Sequence, residues 1–510
     1  MVKTYLGVDV GTTGVKASIF DREGNLKSQS YVPSARYHPE PGLTEQKPAE
    51  MLTETMCAIQ QAVGKLGDGE VTAMAIDGQM AGLMGIDENW EATTHYDSWL
   101  DTRCGDQIEE MNRYKRDVIR QSGSAPGFFF GPKLLWWKEE KLDIYNKTAK
   151  FIEPSVFIAG KFAGLKAESA FIDYTYIHFT NLSDNKNRSW SNELCSQFDV
   201  DMDKLPRIIS PTEIIGFLTR EYASKMGLQP GLPIAAGCGD TAAGLLGAGL
   251  VIPGESVDTA GTASVLTFCS TEFRPDVEKA AMLSCRSVID GCWYSLAYIN
   301  GGGLCIEWFA EAFGDSSAEK ETIFRELNEK AAEVPVGSDG IIFCPHYAGR
   351  NFPYEPNLQG SWAGLNFRHK KEHLYRSVLE GIAFEYRHYV NNFKRLYPDT
   401  ELNCIKAIGG GSKSSLFCQI KADCMRVPYA VLPEREFGTL GSALIAAASV
   451  GDITDLGKRV LEINKTVEIL DPNEKNARLY DDYFKDYEET IDGLIHIFNK
   501  RERTAASHIM

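Results

Sequence analysis

The same unusual turn occurs at two distant places in the sequence. Residues 7–21 read GVDVGTTGVKASIFD, and residues 256–268 read SVDTAGTASVLTF. Each segment predicts an apolar strand that carries an aspartate, breaks into a short turn of Gly and Thr, and resumes with β-branched residues. Such a turn exposes successive backbone N–H groups and hydroxyls, which suits phosphate oxygens. The duplication therefore predicts two similar halves that hold one polyphosphate from both sides.

The length of the chain also favours two large domains. A single hydrophobic core stops growing at roughly 250–300 residues, whereas this chain has 510 residues, of which 43% are hydrophobic. The segment GLVIPGES at 249–256 contains a Pro-Gly turn immediately before the second copy of the motif. We therefore predict domains at 1–250 and 251–451, followed by a C-terminal piece at 452–510.

Strand-like runs alternate with helical stretches along both halves. Examples are VTAMAI at 71–76, LPIAAGC at 232–238 and AVLPE at 430–434. This alternation predicts a mixed α/β fold.

Charge and cysteine usage restrict the partners and the compartment. The net charge is −17 and the longest basic run is KRER near the C-terminus, so a nucleic-acid-binding surface is not expected. The 12 cysteines form no CxxC pair, which predicts reduced thiols in the cytoplasm. A strand that starts by residue 5 leaves no room for a signal peptide, and no apolar run approaches the roughly 18 residues of a membrane span.

The two turns supply candidate phosphate ligands. In the first turn, Gly11 allows the backbone to approach a ligand closely, while Thr12 and Thr13 add hydroxyl donors. In the second turn, Gly261 and Thr262 repeat this chemistry with one additional residue before the strand resumes. A single Gly-Thr hairpin is common and is weak evidence for phosphate binding. Two such turns in one chain are much stronger evidence for phosphate binding.

The pair of turns resembles the two phosphate hairpins of the actin-like ATPase superfamily, which includes actin, the Hsp70 ATPase domain and sugar kinases. Within this superfamily the chain resembles the FGGY carbohydrate kinases, and most closely the xylulokinase-like members. The segment GSWAGLNFRHKKEHLYRSVLEG at 360–381 fits the C-terminal signature of that family. The matching positions are Gly360, Trp362, Gly364, Leu365, His373, Leu374, Ser377 and Glu380.

The N-terminal signature of the family is met in part. The segment FFFGPKLLWWKEE at 128–140 fits it at Lys133, Leu134 and Trp136, but Phe130 stands where the family has a small residue, a hydroxylated residue or Pro. The resemblance covers roughly residues 3–450. It implies two actin-like (ribonuclease H-like) ATPase domains around a central cleft for ATP and a sugar. It also implies a kinase that transfers phosphate from ATP, with Mg²⁺, to an alcohol group of a small sugar.

A kinase needs a group that receives the proton of the attacking hydroxyl. In AAGCGDTAAGLLGAG at 235–249, an apolar strand ends in Gly-Cys-Gly and Asp240 opens a helix of small residues. A carboxylate at this position can be an N-cap only. However, ligands of α/β sheets bind at such strand ends, and Asp240 resembles the catalytic aspartate of the family. We therefore predict that Asp240 is the general base and that it contacts the sugar. Asp240 is also a second candidate ligand for the metal.

A metal ligand is predicted on the first strand, just before the first turn. Asp9 is costly to bury on a strand unless it is paired or holds an ion, so the sequence predicts that it holds Mg²⁺ through water. The alternative is an aspartate that only forms hydrogen bonds within the turn. Lys16 either reaches the phosphates or points to solvent, and the sequence does not distinguish these cases.

A glycine-rich loop in the second half is the candidate nucleotide site. The segment AIGGGSKSSLFCQIKADCMRVPY at 407–429 predicts a short strand, three glycines and a hydroxyl-rich helix start. It resembles the adenosine motif of the family, which implies that four consecutive residues contact ATP: Gly409, Gly410, Gly411 and Ser412. The small residues at 436–451 resemble the connecting helix of the family and are expected to pack.

The sugar-binding residues are predicted mainly from the resemblance. In AIDGQMAGLMGID at 75–87, Gln79 and Met80 match the loop that commonly reads Gly-Gln-Met-His-Gly in xylulokinases, while Ala81 replaces the histidine. In SWLDTR at 98–103, Asp101 and Arg103 either bind sugar hydroxyls or pair with each other, and pairing is favoured for Arg103.

Two functions remain after these steps. The first is a carbohydrate kinase that acts on a ketopentose such as D-xylulose, or alternatively on a polyol such as glycerol or erythritol, or on a sugar acid such as gluconate. The second is an actin-like or Hsp70-like ATPase without a sugar substrate. The signature at 360–380 and the acceptor loop at 77–82 favour the kinase. The family usually has Gly-Glu-Arg where this chain has Gly349, Arg350 and Asn351, which leaves the substrate open.

The C-terminal piece predicts one amphipathic helix. Its apolar residues recur at steps of three and four, which is the pattern of a helix that packs on one face. These residues are Tyr480, Tyr483, Phe484, Tyr487, Ile491, Leu494, Ile495 and Phe498. The partner surface is either a domain of this chain or a second subunit, so a homodimer is left open.

Overall fold

The computed structural model describes residues 2–315 and 317–509. Its strands are β1 (Val2–Val10), β2 (Gly14–Asp21), β3 (Leu26–Pro33), β4 (Glu45–Gln46), β5 (Gly69–Gly78), β6 (Met84–Ile86), β7 (Tyr96–Asp97), β8 (Lys150–Ile152), β9 (Phe171–Asp173), β10 (Ser183–Asp184), β11 (Ser189–Trp190), β12 (Arg207–Ile209), β13 (Ile214–Phe217), β14 (Pro233–Ala235), β15 (Glu255–Ala260), β16 (Ser264–Ser270), β17 (Leu283–Arg286), β18 (Trp293–Ile299), β19 (Ile342–Cys344), β20 (Ser361–Ala363), β21 (Cys404–Ile408), β22 (Tyr429–Val431) and β23 (Glu468–Leu470).

The helices are α1 (Pro48–Gly64), α2 (Gly105–Asn112), α3 (Lys115–Ser122), α4 (Phe130–Glu140), α5 (Leu142–Lys147), α6 (Pro154–Ala163), α7 (Asn192–Gln197), α8 (Arg220–Met226), α9 (Asp240–Gly247), α10 (Gly302–Phe313), α11 (Lys320–Ala332), α12 (Lys371–Leu396), α13 (Ser415–Met425), α14 (Phe437–Ser449), α15 (Leu456–Ile463) and α16 (Glu474–Ile509). The strand predicted at 71–76 lies within β5. The other two predicted strands are met only in part: at 430–434 the strand β22 ends at Val431, and at 232–238 only Pro233–Ala235 is a strand, because the chain turns into a loop before α9.

Two sheets with matching strand order confirm the predicted duplication. The first sheet has the order β3-β2-β1-β5-β14-β13, and the second has β17-β18-β16-β15-β21-β22-β23. In each sheet an antiparallel hairpin, β1–β2 or β15–β16, is followed by two parallel strands and an antiparallel edge strand. The hairpin turns are the repeated Gly/Thr motifs. We call the parts built on the two sheets the first lobe and the second lobe.

The first sheet is buried on both faces, which explains why its central strands are apolar on both sides. On β1, Leu6, Val8 and Val10 join the core beneath α1 and α6. On the other face, Tyr5 joins the core formed with α9 and α14, and Gly7 lies where a Cβ would come within 1.9 Å of the Thr439 carbonyl oxygen. Only glycine permits this approach of α14 to the sheet.

The chain returns to the first lobe after it has built most of the second. Helix α14 follows β22 of the second sheet, yet it packs on β1, β5 and α9. Val460 and Ile463 of α15 join the same core. Helix α16 instead packs on the second lobe, where Tyr480 and Tyr487 are buried. The domain limits at 250 and 451 stay predictions.

Two further observations concern the whole chain. No helix among the described residues is long and apolar enough to cross a membrane. All twelve cysteines are free thiols, eleven of them at least partly buried, as expected for reduced residues that fill the interior.

Candidate active site

The first hairpin lies beside the predicted acceptor loop. The Gly11 N–H donates to the carbonyl of Gly14 at 3.1 Å, which closes the turn. The Thr12 hydroxyl donates to Oε1 of Gln79 at 3.3 Å and accepts a hydrogen bond from the Trp99 indole N–H at 2.9 Å. Thr13 is exposed. The predicted phosphate turn and the predicted sugar-binding glutamine are therefore in direct contact.

The second hairpin is supported by the start of α10. The N–H of Gly303 donates to the Thr262 carbonyl at 3.1 Å, and Gly261 closes its turn on the Ala263 carbonyl at 3.1 Å. Both Gly261 and Thr262 are exposed. The helix start thus holds the hairpin from behind and leaves its outer side open to a ligand.

If the second hairpin binds the phosphates of ATP, as the sequence predicts, Gly303→Ala should weaken nucleotide binding. A Cβ at Gly303 would lie 1.9 Å from the Gly261 carbonyl oxygen, so the hairpin must shift. Overpacking of this kind costs about 1–3 kcal/mol, and a loss within that range should raise the KM for ATP about tenfold. Gly493→Ala is the control, since a Cβ there meets nothing within 4 Å. Equal KM values for the two variants would contradict this role of Gly303.

The predicted glycine-rich loop lies next to the second hairpin. Residues Gly410–Lys413 form a short 3₁₀ turn. A Cβ at Gly409 would come within 2.8 Å of the Ala260 carbonyl oxygen at the end of β15. The Ser412 hydroxyl donates to the Gly409 carbonyl at 2.7 Å, so it stabilises the turn, while Gly410 remains exposed. This places Gly410, Gly411 and Ser412 beside Gly261.

Three aspartates lie at or just beyond the ends of neighbouring parallel strands. Asp9 and Asp77 are register partners on β1 and β5. Gly78, at the end of β5, bridges to Gly239, which precedes Asp240. Carboxyl ends of adjacent parallel strands share one edge of a sheet, and this edge is where ligands bind in open α/β folds.

The environment of these carboxylates favours their protonated forms. Burial raises the pKa of Asp240 to about 7, and the Asp9 charge adds to the effect. Burial also raises the pKa of Asp9, against the lowering effect of the Lys16 ammonium. The pKa of Asp77 is also raised, by burial and then by the charge of Asp9. Clusters of perturbed carboxyl groups are common at functional sites.

Asp77 is a candidate site residue that the sequence analysis missed. Its side chain is fully buried, Ser442 of α14 donates to its Oδ2, and its Oδ1 has no hydrogen-bond partner among the described residues. The available signal was the position of Asp77 at the end of a strand, directly before the acceptor loop. Its closeness to Asp9 depends on the pairing of β1 with β5, which lies outside any local pattern.

The aspartate of the second motif has a different environment. Asp258 on β15 accepts hydrogen bonds from Tyr386 at 2.7 Å and Tyr429 at 3.2 Å, and it forms a buried ion pair with Lys421. Its oxygens are therefore committed to the core of the second lobe. Asp9, its counterpart in the first motif, is only partly buried.

The acceptor loop packs directly on the loop that carries Asp240. Gln79 is fully buried, and its side-chain amide donates to Gln46 at 2.6 Å. A Cβ at Gly239 would lie 2.4 Å from the Met80 sulfur. Ala81 is buried and has a φ of 69°. The predicted sugar residues thus lie between the first hairpin and the predicted base.

Two residues near this loop were not predicted to act there. The Trp99 side chain is 47% exposed and donates to Thr12, so part of its ring is open to solvent beside the first hairpin. Lys133 is fully buried, and its ammonium donates to the carbonyls of Ser98 at 2.9 Å and Ala81 at 3.5 Å. Lys133 therefore holds the two loops together.

The remaining predicted polar residues form ion pairs within the protein. Arg103 contacts Asp101 at 2.8 Å and Glu45 at 2.7 Å, and the Asp101 side chain also accepts from the Thr44 N–H at 2.7 Å. This geometry favours pairing, and contact of Asp101 with a sugar stays a prediction. Lys16 forms a salt bridge with Glu436 at 2.7 Å.

Packing within the second lobe explains Arg350, which stands where the family usually has a glutamate. Its guanidinium donates to Glu385 of α12 at 2.8 Å, and the Tyr487 hydroxyl of α16 donates to the same carboxylate at 2.9 Å. Arg350 is therefore used to join α12 and α16 inside the second lobe.

Duplicated lobes that each carry a Gly/Thr hairpin, and aspartates at the strand ends beside the first hairpin, are the features of a two-lobed enzyme of phosphoryl transfer. The comparisons agree. The N-terminal domain model of the FGGY family of carbohydrate kinases matches residues 4–247, and the C-terminal domain model matches 258–450. The chain belongs to this family. It is a carbohydrate kinase, for which ATP is the implied phosphoryl donor.

Similar proteins extend over the same length. The chain is 27% identical over 492 residues to a xylulose kinase of Staphylococcus epidermidis, covering 96% of each chain. It is 27% identical over 466 residues to a gluconokinase of Bacillus subtilis, covering 89% of each. The structure of gluconate kinase from Lactobacillus acidophilus matches with a TM-score of 0.89 at 24% identity, over 98% of this chain and 100% of that one. The actin-like fold is thereby confirmed.

Proposed function

We propose that this carbohydrate kinase phosphorylates a terminal hydroxyl of a ketopentose, with D-xylulose as the best candidate. The observation that carries the proposal is the contact of the Gln79–Met80 loop with both the first hairpin and the Gly239–Asp240 loop. A sugar bound to this loop would lie between the phosphate turn and the loop that carries the Asp240 carboxylate. Xylulose kinases among the relatives, at 24–27% identity, support the choice of sugar.

Each part of the site has a role in this reaction. The hairpins at Gly11–Thr13 and Gly261–Thr262 hold the phosphates of ATP from two sides, and the Gly410–Ser412 loop takes the adenosine. Asp240 accepts the proton of the attacking hydroxyl, which needs a carboxylate within hydrogen-bond reach. The protein otherwise supplies positioning and charge neutralisation, because phosphoryl transfer needs little covalent chemistry from it.

The carboxylate edge fits Mg²⁺ through water. Carboxylates suit this hard cation, and the buried Oδ1 of Asp77 without a partner leaves acceptor capacity there. Within the described residues, no three His, Cys, Asp or Glu side chains lie close enough to hold an ion directly. Asp9 and Asp240 would therefore hold it through water molecules. When bound, the cation neutralises phosphate charge.

A sugar acid or a polyol is the second candidate substrate. Ala81 leaves a corner of the pocket without the donor that a histidine would supply, and such a loss costs about 0.5–1.5 kcal/mol when water replaces the contact. Gluconokinase relatives match at 26–27% identity, similar to the xylulose kinases.

A coupled assay of ADP release tests the proposal. D-xylulose, gluconate, glycerol and erythritol are supplied separately with ATP and Mg²⁺, and product phosphate is located by NMR. The highest kcat/KM is expected for D-xylulose, with the phosphate on a terminal carbon. If kcat/KM were highest for gluconate or a polyol, that compound would be the substrate instead of the ketopentose. If ADP were released at the same rate without any sugar, the proposal would be refuted.

Ala81→His should raise kcat/KM for D-xylulose by up to about tenfold, because the added donor meets a hydroxyl already in place. Histidine is among the residues that tolerate the left-handed conformation of Ala81. Ala81→Gly is the matched control, since it relieves the same backbone strain without adding a donor. An equal gain from Gly, or a gain for gluconate alone, would contradict the role of the histidine donor.

A further inference from the structure

We propose that Thr175, together with Asp173, positions the loop that carries Asp240 and thereby supports turnover. This inference rests on the proposed role of Asp240 as general base. Thr175 touches neither hairpin nor the acceptor loop through its described hydrogen bonds, so it is a positioning residue.

Asp240 itself is weakly anchored. The only hydrogen bonds that the described residues give its carboxylate come from the backbone N–H and the hydroxyl of Thr241, its neighbour in sequence. The direction of the carboxylate therefore depends on the backbone of the loop before it. On one side this loop is fixed by β5, because Gly237 has a φ of 75° and a Cβ there would lie 1.9 Å from the Ile76 carbonyl oxygen.

Thr175 fixes the other side of the loop. The N–H of Gly239 donates to the Thr175 hydroxyl oxygen at 3.0 Å. The hydroxyl in turn donates its only proton to Oδ1 of Asp173 at 2.6 Å, and the Thr175 N–H donates to the same oxygen at 2.8 Å. Because the proton is committed to Asp173, a lone pair of the hydroxyl must face Gly239.

Water is not able to replace these bonds. Asp173 and Thr175 are each 1% exposed, and a buried N–H left without an acceptor is costly. The neighbouring residues extend the same support: the Tyr176 hydroxyl donates to the Gly78 carbonyl at 3.0 Å, and the Tyr174 hydroxyl donates to the Val288 carbonyl of the second lobe at 2.9 Å. The segment 173–176 thus links the strand end, the Asp240 loop and the second lobe.

Thr175→Val keeps the shape of the side chain and removes both of its hydrogen bonds. We expect kcat with the best sugar substrate to fall about 10- to 100-fold, since misplacement of a catalytic group by about 1 Å costs about 10²-fold. The KM for ATP should stay within about twofold, because the hairpins are not contacted. Thr175→Ser keeps the hydroxyl and should retain kcat within about threefold.

Thr180→Val is the matched control for a purely structural effect. Thr180 is also fully buried, donates to the Ile177 carbonyl at 2.7 Å and accepts from the Leu182 N–H at 3.2 Å. It has no described hydrogen bond to the Asp240 loop. The Thr180→Val substitution should lower the melting temperature about as much as Thr175→Val does. It should leave kcat within about twofold of the wild-type value. Equal kcat losses in the two variants would overturn the proposal.

A double variant separates this inference from the role of Asp240. If Thr175 acts through Asp240, Thr175→Val should lower kcat little further in the Asp240→Asn background, because residues that act as a unit are not additive. A full additional loss in that background would overturn the positioning role. If the Asp240→Asn variant alone kept its activity, Asp240 would not be the general base. If Asp240→Asn were inactive but Thr175→Val had a normal kcat, only the positioning role of Thr175 would be refuted.

Discussion

Replacing Asp240 with asparagine should lower kcat by roughly 10²- to 10⁴-fold and leave the KM for ATP nearly unchanged. Asparagine preserves the shape of the side chain but is not able to take the proton of the attacking hydroxyl. The measurement is steady-state kinetics with the best sugar of the coupled assay, and circular dichroism checks the fold. A variant that keeps most of its activity would rule out Asp240 as the base.

The pH dependence of the wild-type enzyme provides a second view of the same group. Burial raises the pKa of Asp240 to about 7, so the base is protonated and inactive at lower pH. Turnover should therefore rise with pH through about 7, and the rise should be absent in Asp240→Asn. A wild-type profile that is flat from pH 5 to 8 would contradict this assignment.

Replacing Lys421 with methionine should lower the free energy of unfolding by about 3–5 kcal/mol, because it leaves a buried charge without its partner. Lys421 and Asp258 are 0% and 1% exposed, and Asp258 would keep only its two tyrosine donors. Urea unfolding followed by tryptophan fluorescence measures the loss.

The matched control for this variant is Lys413→Met. Lys413 forms its ion pair with Glu434 at 3.0 Å with side chains 65% and 81% exposed, and exposed pairs contribute about 0–1 kcal/mol. If both variants lost the same stability, the buried pair would not be a main support of the second lobe.

The hairpins and the position of Asp240 could be predicted because their signals are local. A Gly/Thr turn after an apolar strand is visible in a few residues, and its repetition indicated two related lobes. Asp240 was visible because it follows Gly-Cys-Gly and opens a helix. The nucleotide, sugar and metal roles of these residues stay predictions.

Other parts of the site depend on pairing between distant segments. The contact of Asp9 with Asp77 requires the parallel pairing of β1 with β5. The commitment of Asp258 to Lys421 requires the packing of α13 under the second sheet. The hydrogen bond from Gly239 to Thr175 joins residues 64 positions apart. No periodicity or local motif encodes such tertiary neighbours, so the sequence predicted a metal role for Asp9 but neither its contact with Asp77 nor the ion pair of Asp258.

The return of α14 to the first sheet has a consequence for synthesis on the ribosome. Leu440 and Leu444 cover Tyr5 and the alanines of β5, but they are translated after most of the second lobe. At about 5–20 residues per second, the roughly 190 residues between α9 and α14 take on the order of 10–40 s. During this time one apolar face of the nascent first lobe remains partly uncovered and available to molecular chaperones. A fragment that ends at the apparent domain boundary would keep that face open permanently.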